Sequence, residues 1–164
     1  MENDSEEYSN NNYYLAKEDF KRVDHIIYVS LKYTKTVDMM RNGIDRMIST
    51  MYYLREYLLC LAYEKNLIEN IPKIEVYKGN LLKKLINLEE FDEFISFYRK
   101  IRKIVKSDFT KHCEFRKHMC MMIEDDEYGT VKVGTEEVLN FFEKLNGYMK
   151  LIKKIEEENF FITQ

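Results

Sequence analysis

Val37, Ile44, Met51 and Leu58 recur every seven residues, and Met40, Met47, Leu54 and Leu61 fill the positions three further on. Four consecutive pairs at this spacing hold one apolar stripe along one side of a helix, where it must be covered by another helix. At about 1.5 Å per residue, the stretch 37–63 is long enough to span roughly 40 Å as a helix. Such a seam commits the chain to helix packing, and its methionines supply side chains that adapt to irregular gaps. The pair Asn42-Gly43 is the weak point, because glycine in a helix interior costs about 1 kcal/mol relative to alanine. A bend is expected there, not a domain boundary.

The rest of the chain fits the same plan. Five glycines and one proline are too few to punctuate a sandwich or barrel. Phe20, Val23, Ile27 and Leu31 predict a helix over 15–33; Leu81, Leu82 and Leu85 predict one over 77–86. Between them Pro72 makes 66–73 a connection. Over 89–105, Phe91, Phe94, Ile95, Tyr98, Ile101 and Ile104 share a face, with acidic residues at the start and basic ones at the end, as the helix dipole favours. Thr135 is the expected N-cap of a last helix carrying Val138, Phe141, Leu145, Tyr148, Ile152 and Ile155 inward. The helical period fades between these two, and "HMCMMI" followed by "EDDEYG" and "TVKV" suits a hairpin with its turn at Gly129. The expected fold is mainly α: an up-and-down bundle of about four to five helices, with a small β-hairpin or extended insertion near residues 113–133. Residues 1–12, polar and acidic without periodicity, are expected to form a disordered tail to a single domain over 13–164.

No apolar run approaches the roughly 18 residues that cross a bilayer, and the N-terminus lacks the basic start and apolar middle of a secretion signal. The expectation is a cytoplasmic chain with reduced thiols, needing no cofactor and touching no membrane; its three cysteines do not form a disulfide framework.

Chemistry-bearing side chains concentrate in "KHCEFRKHMC", residues 111–120. His112, Cys113, His118 and Cys120 are zinc-type ligands, but neither strand nor helix geometry points all four to one place, so a metal site would require an irregular loop. His118 with Arg116, and Arg102 nearby in sequence, would suit a metal-independent ribonuclease, the imidazole moving a proton and the guanidinium stabilising the phosphorane. Charge offers another function. Residues 99–118 carry a net +6 while the remainder of the chain carries −9. Arg99, Arg102, Lys103, Lys106, Arg116 and Lys117 are therefore the expected phosphate contacts of a nucleic-acid-binding strip. Such a strip requires that the cations before and after Asp108 converge on folding.

The opening helices, "AKEDFKRVDHIIYVSLKYTKTVDMMRNGIDRMISTMYYLREYLL", and the order of long helix, seam helix, loop, further helices and a basic histidine-containing segment resemble the HEPN-like helical bundles over about 15–155. The resemblance implies an association with RNA. It also implies a nucleotidyltransferase-type partner protein in a toxin–antitoxin or regulatory pairing. Catalytic members of that family place a histidine four to six residues after an arginine; here His112 follows Arg102 by ten and His118 follows Arg116 by two. The departure favours a non-catalytic binding module over a ribonuclease. A homodimeric protein-interaction module, with the seam completed by a second copy, is the alternative.

Overall fold

The computed structural model describes residues 2–127 and 129–162. Helix α1 (Glu2–His25) widens into a π-helical turn (Ile26–Ser30) and closes with a single turn, α2 (Leu31–Tyr33), so that these three pieces run on as one helix. The seam helix α3 (Val37–Glu64) follows, then α4 (Glu75–Leu85) and α5 (Glu89–Lys106). Three strands, β1 (Phe109–His112), β2 (Cys120–Asp125) and β3 (Gly129–Gly134), lead into α6 (Thr135–Glu158). The architecture is mainly α with a small antiparallel sheet.

Helix α3 is the spine. Its seven seam residues from Val37 to Leu58 have no exposed surface, and one continuous core joins them to α1, α5, α6 and the sheet. The seam is thus filled by the chain's own helices. Thr36 starts α3 by accepting the Met39 N–H through its hydroxyl at 3.3 Å. The helix ends before Asn66, whose φ of 56° reverses the chain into the connection that contains Pro72. The bend expected at Gly43 has a different meaning: a Cβ there would lie 3.2 Å from Ile26 Cγ2. Gly43 lets the π turn of the preceding helix approach closely.

Two expectations are corrected and one is extended. Residues 2–12 are helical and belong to α1, with Ser9 and Asn12 buried. Asn12 donates from Nδ2 to the Tyr8 carbonyl within the helix at 3.1 Å and reaches Cys60 Sγ on α3 at 3.8 Å, a polar contact that no apolar period announces. Further along, Asp19 accepts from Arg22 and Arg46 at 3.0 and 3.3 Å and from the Ser49 hydroxyl, tying α1 to α3 by charge. The expected hairpin is present as β2 and β3, and a third strand, β1, extends it to a sheet ordered β1-β2-β3. Its additional strand pairs Phe109 with Ile123 and His112 with Cys120. Met121, Ile123 and Val133 face the helices and are buried. Lastly, the last helix takes Gly134, not Thr135, as its N-cap, and Glu137 Oε2 accepts the Gly134 N–H at 2.8 Å. Met1, Tyr128, Thr163 and Gln164, included in the expected tail, turn and domain, lie outside the described residues.

Candidate anion-binding cleft and cationic face

Helix α5 buries Phe91, Phe94, Ile95, Tyr98 and Ile101, so its opposite side faces outward. Arg99, Arg102, Lys103 and Lys106 stand at steps of three and four residues and therefore share that side. Their surroundings differ. Arg99 donates to the neutral Asn80 Oδ1 at 3.1 Å, whereas Arg102 lies 3.6 Å from Glu75. Lys103 bonds Asp125 at 2.7 Å and approaches Glu127 at 3.6 Å; the Asp125 hydrogen bond raises its pKa above the usual lysine value. Arg99, Lys100 and Lys106 are exposed and make no ion pair among the described residues. Folding thus leaves some of the expected phosphate contacts available and ties others to carboxylates.

Between α5 and the inner face of the sheet runs a groove of about 650 Å³. Ile104, Ile123 and Val131 line its apolar part, with Arg99, Lys100 and Lys103 on the helix side and Asp125 and Glu127 on the strand side. The Lys103–Asp125 bond crosses it.

The segment 113–119 is a tight loop. Cys113 and Phe115 adopt φ values of 53° and 63°. The Phe115 N–H donates to the Lys35 carbonyl at 2.6 Å, and Glu114 Oε1 accepts the Val37 N–H at 2.9 Å, so the loop caps the start of α3. Lys111 on β1 adds an ion pair with Asp38 at 2.7 Å. Arg116, Lys117 and His118 are exposed on this loop. No hydrogen bond or ion pair connects His118 with Arg116 or Arg102, and Arg102 is engaged with Glu75 and the Tyr98 ring. The metal quartet is not assembled. Thr110 Oγ1 holds His112 Nε2 at 2.8 Å, Cys113 is exposed and Cys120 buried, and no group of three or more His, Cys, Asp or Glu among the described residues is placed to hold a metal ion.

Charge buried inside the bundle escaped the sequence reading. Arg55, 2% exposed, donates from Nη1 and Nη2 to the two Glu75 oxygens at 2.7 and 3.0 Å, and from Nη2 to Glu56 at 2.8 Å. Lys78 Nζ, also buried, donates to both Glu56 oxygens at 2.9 Å and lies 3.7 Å from Glu75. The Arg55 guanidinium stands 5.4 and 5.3 Å from the ring centroids of Tyr52 and Tyr98, and its buried Nε–H has no partner. Burial opposes the charge on Arg55, but the hydrogen bonds it donates to Glu75 and Glu56 outweigh it and raise its pKa. Partial burial likewise opposes ionisation of Glu75, yet the Arg55 hydrogen bonds and charge, joined by Lys78 and Arg102, hold its carboxyl below the ordinary range. Burial raises the pKa values of Tyr52 and Tyr98, so both walls stay uncharged at neutral pH.

Arg55 and Glu75 of this network line a cleft of about 170 Å³ between α4 and α5, together with Arg99 and Arg102. The arrangement can attract and orient an anion; it presents no nucleophile beside a base. A signal for it existed in "LREYLLCLA". Nearly every position from Leu54 to Ala62 is buried, and a helix that is apolar almost all round must bury the few charges it carries. None of the described helices is long and apolar enough to cross a membrane. Compared with protein-family models, with curated proteins and with solved structures, the chain gives no match.

Proposed function

We propose that this chain is a non-catalytic, RNA-associated binding module of the HEPN-like kind, holding phosphates on the outer side of α5. The observation that carries the reading is that Arg99 and Lys106 lie two turns apart on one exposed helical face with no carboxylate paired to either. Arg116 and Lys117, exposed on the loop after β1, are the second group of contacts. Arg102 and Lys103 contribute less, because a phosphate must compete there with Glu75 and Asp125. The net charge of −3 restrains adhesion elsewhere on the surface.

Four phosphate contacts on single-stranded RNA give a slope of log affinity against log salt of about −3. Fluorescence anisotropy over a salt series is expected to show this slope, and joint substitution of Arg99→Ala and Lys106→Ala to reduce its magnitude by about 1.4. Binding indifferent to salt, or no binding, rejects the reading. The RNA is expected to be recovered intact; cleavage abolished by His118→Ala would replace binding with catalysis.

A further inference from the structure

We infer that the cleft between α4 and α5 is a receptor for a terminal phosphomonoester, held by Arg99 and Arg102 above the buried Arg55 network. Charge argues first. Arg55, Arg99 and Arg102 line the cavity with Glu75 as its single lining carboxylate among the described residues, and Lys78 and Glu56 behind them offset each other, leaving two positive charges uncompensated. A phosphodiester or a carboxylate carries one negative charge, but a phosphomonoester approaches two at neutral pH. It alone of the three balances the cleft.

Geometry agrees. Glu75 already occupies the mouth as a resident two-oxygen anion, drawing on Arg55, Arg102 and Lys78. Its side chain is 40% exposed, so it can turn aside to the rim, where its charge still counts toward the cleft. Arg99 holds only a neutral amide, which an anion displaces readily. Arg55, 98% buried and lining the cavity, keeps an unpartnered Nε–H, a hydrogen-bonding capacity that the protein's own carboxylates leave unmet. Gly79 keeps the wall low: a Cβ there would lie 3.4 Å from Ile95 Cγ2 and 3.6 Å from Arg99 Nη2, and any longer side chain would enter the cavity. The volume of about 170 Å³ suits a phosphoryl group and the start of a sugar, leaving a nucleobase outside.

The same ligand chemistry occurs on a free nucleotide and on an RNA end. The strand-end form rests on the RNA reading above; the free form does not. Calorimetric titration of the full chain with inorganic phosphate, a nucleoside 5′-monophosphate and the parent nucleoside tests the cleft itself. Phosphate and monophosphate are expected to bind and the nucleoside not, with affinity falling as the pH drops below about 6, where the dianion gains a proton. Arg99→Ala and Arg102→Ala should each weaken binding about tenfold. Lys153→Ala, on α6, should not. Gly79→Leu, which keeps every charge, should block binding while circular dichroism shows the native helix content. Glu75→Gln should strengthen phosphate binding even as it lowers the melting temperature, a combination that a purely structural Glu75 would not produce. Equal response to nucleoside and nucleotide, or arginine variants that behave like Lys153→Ala, overturns the inference.

Oligoribonucleotides ending in 5′-phosphate or 5′-hydroxyl test the source. Preference for the phosphorylated strand supports the strand-end form. Equal binding of both strands overturns that form and leaves the RNA reading standing. Phosphate binding without any RNA binding supports the cleft and overturns the RNA reading.

Discussion

Glu56 is held between two buried cations: it accepts one hydrogen bond from Arg55, and both of its oxygens accept from Lys78. Removing one member of a buried charged group leaves its partners uncompensated, at a cost of about 3–5 kcal/mol. Glu56→Leu is therefore expected to reduce stability by that amount in urea unfolding; a loss within experimental error of zero would mean that water reaches the network. Glu75 adds a pH dependence. Its folded pKa lies below the ordinary 4.5, so its contribution is fully present above that value and is lost as the pH falls through the depressed pKa. The stability difference between the native chain and Glu75→Gln should accordingly narrow as unfolding is measured in increasingly acidic buffer. A sequence reader places charged residues outside by default. That default failed at Arg55, Glu56 and Lys78 because their partners come from separate helices, 20 and 22 residues apart, and pairing across helices leaves no local periodic signature.

At the scale of elements, α3, α5 and α6 were legible because apolar residues at helical spacing both form the helix and fill the core. The first helix was legible only where it is apolar. Its early part is fixed by Asn12 and its middle by Asp19, contacts whose partners on α3 lie 48, 27 and 30 residues away. Strand β1 is four residues long with only Phe109 half-buried, too brief for an alternating pattern to register. Gly43 read as a flaw in α3 and proves to be the contact point for the π turn. Gly43→Leu should cost about 1–3 kcal/mol by overpacking against Ile26, despite the gain in helix propensity. A shift of the urea midpoint with unchanged slope would be the expected sign.

For the molecule as a whole, the bundle was foreseeable and the distribution of its charge was not. The window of +6 is a property of the chain; the usable positive surface is a property of the fold. Lys111, Lys103 and Arg102 are paired with Asp38, Asp125 and Glu75, which come from three other parts of the chain. Two of the bonds that anchor the loop and sheet to the start of α3, Lys111 to Asp38 and Glu114 to Val37, close over 73 and 77 residues of chain. Contacts that distant reward the chain only after the intervening helices are in place, whereas the adjacent α1 and α3 meet through a short connection. In stopped-flow experiments Glu114→Ala should therefore hasten unfolding while leaving the refolding rate nearly unchanged. The sheet is then a clasp fastened late, and the time for which the native molecule survives depends on it more than does the speed with which the molecule forms.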